Sequence, residues 1–461
     1  MIAILIIGVE AVLLYFPARM MRLAIKYSKF NRPMALRLPK STHFLLLAIF
    51  ISCGNITPQK SATLPDESQI IPSPNSDLGK DANTENKDLI LGANRTEVYL
   101  PLIAGKRVGV VGNPSSLILV KKDAAGKAVY THLVDSLLSR NINIVKVFSP
   151  EHGFRGKADA GETVKDGKDK KTGLPITSLY GSNKKPTQEQ LNGIDILVFD
   201  IQDVGVRFYT YIATMHYVME AAAEAQIPIL ILDRPNPNGH YVDGPVMEKE
   251  NTSFLGMHAG VPLVHGMTIG EYALMINGEG WLTNGEKCDL TVIQMENYNH
   301  NLPYSLPVRP SPNLPNDKAI NLYPSLGLLE GTNLNAGRGT EMQFQVIGSP
   351  YLPPVKYPFS YTPQPNFGSK NPKHKGELCH GLDLRDTPRM NQVDLTWIVT
   401  AYQDHEKKEE FFNTKNFTAH AGTARLQQQI EQGLSFAEIQ KSWKSDLDAF
   451  KQIRGKYLIY N

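Results

Sequence analysis

One stretch of the sequence decides the fold: VFSPEHGFRG, residues 147–156. It continues an apolar run, Ile142 to Phe148, that predicts a buried β-strand, and it then turns at a proline and a glycine. A strand that ends in this way carries Glu151 and His152 at its carboxyl end, where ligands bind in open parallel α/β sheets. We therefore expect the loop, which continues to a further acid at Glu162, to form the centre of a site.

Apolar runs alternate with helical segments around this stretch. Runs typical of strands lie at 107–113, 143–148, 194–200 and 227–233, and helical spacing is found at 131–139 and 211–225. Continuous apolar strands separated by helices predict a parallel sheet that is covered on both faces. Residues 89–285 are accordingly predicted to form a Rossmann-like α/β domain.

This domain is not expected to bind a dinucleotide. Its first strand leads into GVVGNP, residues 109–114, instead of G-x-G-x-x-G. Pro114 also lacks the backbone N–H that would help to hold a pyrophosphate.

The sequence pattern changes after residue 285. A predicted strand at 289–295 is followed by proline-rich loops, scattered strands and helices near 395–402, 424–432 and 436–452. Residues 286–461 are therefore predicted to form a smaller α+β C-terminal domain. Just before it, Thr268 and Glu271 have the spacing of a capping box, so Glu271 is expected to cap a helix and not to act in catalysis.

The N-terminal region resembles the leader of a bacterial lipoprotein. Residues 34–53 combine a basic start, an apolar run and the sequence Ser52-Cys53-Gly54. In such leaders the cysteine becomes lipidated and begins the mature chain, so Cys53 is the predicted lipidation site and the protein is expected to be anchored in the cell envelope, facing the periplasm or the exterior. An ordinary signal peptide or a membrane anchor is the alternative.

The segments on either side of this leader are not expected to fold. Residues 54–88 are rich in proline, serine, asparagine and charged residues, which predicts a flexible linker. Residues 1–33 are interpreted as an extension from a start codon assigned too early, because the apolar stretch Met1 to Phe16 is short for a membrane span and contains Glu10.

Composition supports a globular body and excludes some partners. Of 461 residues, 42% are hydrophobic and 20% are charged, and the net charge is +3. That charge is too small to favour nucleic acid binding. Three cysteines are too few for a disulfide framework, and whether Cys288 and Cys379 pair is left open.

Acidic residues recur where the predicted strands end. Asp200 and Asp203 follow the third strand and Asp233 follows the fourth, as Glu151 follows the second. Because the carboxyl ends of parallel strands meet at one edge of a sheet, these groups are expected to converge. Their loops also carry side chains suited to sugar hydroxyls and sugar faces: Arg207, Tyr209, Tyr211 and Asn236. The alternative for Asp233 and Asn236 is that they only stabilise a turn.

The predicted C-terminal domain offers a second set of polar residues. The run GRGTE, residues 337–341, presents Arg338 and Glu341, either to a ligand or to each other as a structural ion pair. His152, His265 and the aspartates are candidate ligands for a zinc site, but neither H-x-x-x-H nor H-E-x-x-H occurs, so no metal is expected. The chain also lacks the G-x-S-x-G elbow of a serine hydrolase.

From about residue 89 to the end, the sequence resembles the bacterial exo-β-N-acetylmuramidase family. The matching segments are 112–115, 149–156, 159–162, 178–181, 200–211, 233–239, 264–268, 311–315 and 330–344. The resemblance implies a Rossmann-like domain, a smaller C-terminal domain and an active-site cleft between them. It also implies release of N-acetylmuramic acid (MurNAc) from the non-reducing end of peptidoglycan fragments such as MurNAc-GlcNAc, and it implies no cofactor.

Such a hydrolysis usually needs two carboxyl groups. We expect Glu151 to be one and Glu162 the other, with Glu341 as the alternative to Glu162. Arg207 or Arg338 is expected to hold the lactyl carboxylate of muramic acid, and Tyr209 or Tyr211 to stack on a sugar. The other residues predicted to bind substrate are His152, Asp200, Asp203, Asp233, Asn236 and His265.

Two other functions stay open at this point. A lipid-anchored peptidoglycan-binding module without turnover needs the arginines and aromatics but not the paired acids. A metal-dependent hydrolase is the other alternative. The oligomeric state is not predicted.

Overall fold

The computed structural model describes residues 88–155 and 166–460. In chain order, its strands are β1 (Val108–Gly112), β2 (Leu117–Lys122), β3 (Ala128–His132), β4 (Ile144–Ser149), β5 (Gly167–Lys168), β6 (Pro175–Ser178), β7 (Ile196–Asp200), β8 (Ile229–Leu232), β9 (Asp243–Val246), β10 (Pro262–Val264), β11 (Leu290–Ile293), β12 (Val346–Ser349), β13 (Phe359–Tyr361) and β14 (Cys379–Asp383).

The α-helices are α1 (Thr96–Ile103), α2 (Leu133–Ser139), α3 (Gln188–Leu191), α4 (Tyr211–Glu224), α5 (Ile269–Gly278), α6 (Asp317–Leu326), α7 (Thr396–Asp404), α8 (Thr414–Ala421), α9 (Arg425–Glu431), α10 (Phe436–Lys441) and α11 (Lys444–Arg454). Short 3₁₀ helices lie at Gly92–Asn94, Lys249–Asn251, Thr283–Gly285, Gly327–Gly331 and Lys408–Glu410.

Seven strands form one sheet in the order β11-β8-β7-β1-β4-β6-β5. Every neighbouring pair is parallel except β5 and β6. The central strands β1, β7 and β8 are buried at every position, because helices cover both faces of the sheet. The prediction of a Rossmann-like parallel sheet is confirmed.

The order of the strands creates a topological switch point at β1. The chain first adds β4 on one side of β1 and later adds β7 on the other. In open α/β sheets the crevice beyond the carboxyl ends of such strands is the usual binding site. The loops after β4 and β7, which carry Glu151 and the stretch from Asp200 to Thr210, both lie at this crevice.

Helix α5 begins as the sequence predicts. Thr268 accepts a hydrogen bond from the N–H of Glu271, and the Glu271 carboxylate accepts one from the N–H of Thr268. This complete capping box satisfies two helix-end donors. The interpretation of Glu271 as a capping residue is therefore confirmed.

The C-terminal part combines a three-stranded antiparallel sheet, in the order β12-β14-β13, with helices α6 to α11. The large sheet extends past residue 285, because β11 pairs with β8 in parallel. The single helix predicted over 436–452 is wrong, since α10 and α11 are separate. The break lets the Trp443 indole enter the core and donate from Nε1 to Asp243 at 3.2 Å.

Two further findings concern the described residues. Cys288 and Cys379 are free, buried thiols. Within residues 88–155 and 166–460, no helix has the length and apolar character needed to cross a membrane.

Candidate active site

Glu151 lies just beyond the end of β4, in the turn predicted from the sequence. The turn is tight: Gly153 donates its N–H to the carbonyl of Pro150 at 3.1 Å, and His152 has a φ of 71°. A positive φ is uncommon for a residue with a Cβ, and such strain concentrates at functional sites. Oε2 of Glu151 accepts a hydrogen bond from Oγ1 of Thr210 at 2.9 Å, so the carboxylate contacts the start of α4.

The charge of this carboxylate acts on three tyrosines: Tyr180, Tyr211 and Tyr323. Burial raises the pKa of each phenol, and the negative charge of Glu151 adds to the shift in all three. The three phenols therefore stay protonated at neutral pH.

Aromatic rings connect the large sheet to the C-terminal part. The ring centroid of Tyr209 lies 4.7 Å from that of Tyr211 and 6.0 Å from that of Tyr323. The hydroxyl groups of Tyr209 and Tyr211 both donate to the carbonyl of Pro310, at 2.6 and 3.4 Å. Both residues are buried, so their rings pack inside the protein, whereas Tyr180 and Tyr323 remain partly exposed.

The C-terminal part contributes a carboxylate–guanidinium pair. Nη1 of Arg338 donates to both carboxylate oxygens of Glu330, at 3.1 and 3.2 Å, and about a quarter of each side chain is exposed. Burial raises the pKa of Glu330, but Arg338 and Lys373 outweigh this effect, and the pKa lies below its ordinary value. Arg338 thus pairs with Glu330 and not with Glu341, which is exposed.

Two of the predicted acids are used inside the protein. Asp200 is fully buried and forms an ion pair with Arg234, with contacts of 2.6 and 2.9 Å. Asp233 is also fully buried, and burial raises its pKa to about 6. The Asp233 carboxylate accepts hydrogen bonds from Arg234 N, Gly270 N, Thr268 Oγ1 and Tyr460 OH. These two carboxylates support the sheet edge and the start of α5 and do not face the crevice.

Asn236 stabilises the turn that follows β8. Its Oδ1 accepts the N–H of Asn238 at 2.8 Å, and its Nδ2 donates to the carbonyl of Met267 at 2.8 Å. Gly205 packs so closely on this amide that a Cβ would lie 2.2 Å from it. For Asp233 and Asn236 the structure therefore favours the turn-stabilising alternative.

Arg207 is placed beneath the site and not at its surface. Its side chain is fully buried and donates to four backbone carbonyls, those of Pro245, Val261, His420 and Ala421, at 2.7 to 3.3 Å. Burial lowers its pKa to about 9. A substrate carboxylate cannot reach a group without exposed surface, so this position corrects the predicted contact between Arg207 and a lactyl group.

Asp203 and His265 form a buried pair. Oδ2 of Asp203 accepts the N–H of Gly205 at 2.6 Å and lies 3.7 Å from Nε2 of His265. Nδ1 of His265 accepts the N–H of Met267, so the proton of the neutral ring lies on Nε2, which faces Asp203. Both side chains, like that of His152, are at least nine-tenths buried.

Two predicted residues lie outside the described part of the chain. Glu162 belongs to residues 156–165, and Cys53 belongs to residues 1–87. The second carboxylate and the lipidation site therefore stay predictions.

Sequence reasoning missed several residues that the structure adds to the candidate site: Thr210, Tyr180, Tyr323 and Glu330. The last of these had a usable signal. Glu330 is a lone acid in the apolar stretch Leu326-Gly327-Leu328-Leu329, where a charge needs a partner. Tyr323 had none, because its helical spacing is also that of an ordinary core residue.

Two observations bear on other chemistries. Among the described residues, no group of three or more His, Cys, Asp or Glu side chains is arranged to hold a metal ion. A separate cavity of about 440 Å³ is lined by Gly239, His240, Tyr241, Val242, His300, Asn301, Lys451 and Arg454. None of these eight residues carries a carboxyl group, so the cavity lacks the pair of carboxyl groups that glycoside hydrolysis usually needs.

Comparison with known proteins identifies the family. Residues 108–318 match the family model described as exo-beta-N-acetylmuramidase NamZ, N-terminal, and residues 321–460 match its C-terminal counterpart. The peptidoglycan beta-N-acetylmuramidase NamZ of Bacillus subtilis (strain 168) is 41% identical over 387 residues, which cover 78% of this chain and 89% of that protein.

Solved structures agree with this assignment. Two crystal structures of DUF1343 family proteins from Bacteroides fragilis each cover 81% of this chain and 99% of their own. They are 43% and 28% identical to it, with TM-scores of 0.72 and 0.68. With both family models matched across the folded body and a relative this similar, the chain belongs to the exo-β-N-acetylmuramidase NamZ family.

Proposed function

We propose that this protein is an exo-acting glycoside hydrolase that releases MurNAc from the non-reducing end of peptidoglycan fragments during cell-wall turnover. The observation that carries the proposal is the position of Glu151. It lies at the carboxyl edge of a parallel sheet, among protonated tyrosines, with the Glu330–Arg338 pair contributed from the C-terminal part. The family of the chain and its B. subtilis relative support the substrate class.

The reaction breaks the bond between the anomeric carbon of MurNAc and the oxygen of the next sugar, and water supplies the new hydroxyl. Glu151 acts as an acid or base on these oxygens. Glu162 is the second carboxylate predicted from the sequence, and Glu341 its alternative. Glu330 is an additional candidate, because Arg338 keeps it ionised.

The remaining roles follow from exposure. Of the two candidate arginines, Arg207 is buried and Arg338 has exposed surface, so we assign to Arg338 the lactyl carboxylate of muramic acid. Tyr180 and Tyr323, which are partly exposed, are better placed than Tyr209 and Tyr211 to contact a sugar ring. Asp203, His265 and His152 support the loops on which Glu151 and Thr210 lie.

The direct test is incubation with defined MurNAc-GlcNAc oligomers, with products identified by mass spectrometry. Wild-type protein is expected to release MurNAc from the non-reducing end alone. Binding without released MurNAc would favour a peptidoglycan-binding module, and activity lost in chelator would favour a metal-dependent hydrolase.

The role of Glu151 has its own test. Glu151→Gln keeps the size of the side chain but cannot exchange a proton, so kcat should fall about 10²- to 10⁴-fold. Glu97→Gln, an exposed acid in α1, is the matched control and should retain full activity. Wild-type rates in Glu151→Gln would exclude Glu151 as the acid or base.

We propose further that Cys53 carries a lipid that anchors the protein in the cell envelope. The support is the basic start, the apolar run and the Ser52-Cys53-Gly54 sequence. Cys53→Ser removes the sulfur that would accept the lipid, so a radiolabelled fatty acid should label the wild-type protein and not the variant. Equal labelling of both would contradict the proposal.

A further inference from the structure

The ammonium group of Lys373 lies inside a ring of backbone oxygens. Its Nζ is 2.6 Å from the carbonyl oxygen of Leu329, 2.7 Å from that of Thr332, 3.2 Å from that of Glu330 and 3.3 Å from that of Leu334. An ammonium carries three protons, so four carbonyls share them. Lys373 thus occupies its site as a bound cation would.

All four oxygens belong to the segment that carries Glu330. This segment is the end of the 3₁₀ helix Gly327–Gly331 and the residues that follow it. The last carbonyls of a helix have few partners within the helix. The carbonyl of Leu329 also accepts hydrogen bonds from Thr332 and that of Glu330 from Asn416, and the ammonium of Lys373 is the one donor that all four carbonyls share, so it ties the segment together.

Lys373 is also connected to the other member of the pair. Nδ2 of Asn335 donates to the carbonyl of Arg338 at 3.1 Å and to that of Lys373 at 2.9 Å. Nδ2 of Asn416 donates to the carbonyl of Glu330 at 2.9 Å. The ammonium of Lys373 therefore contacts the backbone of Glu330. The backbone carbonyls of Lys373 and Arg338 accept hydrogen bonds from the same side-chain amide, that of Asn335.

The pair faces the site through Tyr323. The ring centroid of Tyr323 lies 6.0 Å from that of Tyr209, the neighbour of Thr210, whose hydroxyl donates to Glu151. The charges of Glu330 and Glu151 both add to the effect of burial, which raises the pKa of Tyr323. The carboxylate of Glu330 in turn opposes the lowering of the Lys373 pKa, which burial brings to about 8. The C-terminal part of the protein therefore contributes three interacting residues to this side of the site: Lys373, Glu330 and Tyr323.

We propose that Lys373 is a positioning residue for the hydrolysis, in which its caged ammonium fixes the Glu330–Arg338 pair relative to Glu151. This inference rests on the proposed function. A side chain without charge would remove the donor that the four carbonyls share, and those of Thr332 and Leu334 would lose the hydrogen bonds that Lys373 gives them, so the segment would move to find other partners. Displacement of a substrate-contacting group by about 1 Å is enough to lower a rate about 10²-fold.

The first test compares Lys373→Met with Lys318→Met. Both variants lose the ammonium of a partly buried lysine, but Lys318 contacts a single carbonyl, that of Thr387. We expect kcat/KM for MurNAc release to fall at least tenfold in Lys373→Met and to stay within twofold in Lys318→Met. Lys373→Arg keeps the charge in a bulkier planar group and should lie between wild type and Lys373→Met.

The second test separates positioning from general destabilisation. If Lys373 acts through the pair, combining Lys373→Met with Glu330→Gln should lower kcat/KM by less than the product of the two single losses. If Lys373→Met does not fold, Lys373→Arg takes its place in this cycle. Losses that multiply, or a folded Lys373→Met enzyme with normal kcat/KM, would overturn the inference alone. A wild-type protein that releases no MurNAc would overturn the proposed function and this inference with it.

Discussion

At the scale of single residues, the structure separates polar groups that face the site from those that support it. Glu151 and Arg207 come from neighbouring loops at the same sheet edge, and in the sequence both are charged residues near the end of an apolar strand. Glu151 remains partly exposed, whereas Arg207 is fully buried and its guanidinium donates to four backbone carbonyls. The loops were predicted from the sequence, but the direction of each side chain depends on contacts with residues such as His420, far away along the chain.

Replacing Arg207 tests this supporting role. In Arg207→Met the apolar stem is kept but four buried carbonyls lose the hydrogen bonds that the guanidinium gives them, so the free energy of unfolding should fall by several kcal/mol, roughly 3–5. Urea unfolding measures the loss. Arg385→Met, which breaks an exposed ion pair with Asp383, is the control and should leave the midpoint unchanged. An unchanged midpoint in Arg207→Met together with a raised KM would restore a ligand-binding role.

At the scale of elements, periodicity and capping signals predicted most strands and helices. Strands β1, β7 and β8 lie within the predicted apolar runs, β4 extends one residue beyond its run, and α5 begins at the predicted cap. The order of strands in the sheet was not predictable, because chain order does not say on which side of β1 each strand is added. The break between α10 and α11 was also missed, since it depends on the contact of Trp443 with Asp243 in β9.

The capping boxes of α5 and α10 differ in burial, and we expect them to contribute different amounts to the free energy of unfolding. Thr268 caps the buried start of α5 and also donates to Asp233, whereas Ser435 caps the exposed start of α10. Thr268→Ala should lower the free energy of unfolding by about 2–4 kcal/mol, because a buried carboxylate loses a donor in addition to the lost cap. Ser435→Ala should lower it less. Equal losses in thermal or urea unfolding would show that the contact with Asp233 adds nothing.

At the scale of the whole molecule, buried histidines determine how stability responds to acid. Burial lowers the pKa of His132 to about 4 and that of His258 to about 3, from the ordinary histidine value of about 6.5. Between these values and 6.5 the unfolded chain binds more protons than the folded one, so stability falls as the pH falls through that window. Asp233 acts in the opposite direction, because its pKa is raised to about 6 and the folded state then binds the extra proton.

His258 is the residue with which the dependence of stability on pH is best tested. Its ring stacks on Trp281, with centroids 4.3 Å apart, and its Nε2 has no hydrogen-bond partner among the described residues. Phenylalanine can therefore replace it in the stack while removing the titration. Between about pH 4 and 6, the slope of unfolding free energy against pH should decrease in His258→Phe by up to one proton, or about 1.4 kcal/mol per pH unit. Urea unfolding at several pH values measures this slope. An unchanged slope would mean that His258 becomes protonated in the folded protein, and its ring would then have to leave Trp281 to reach water.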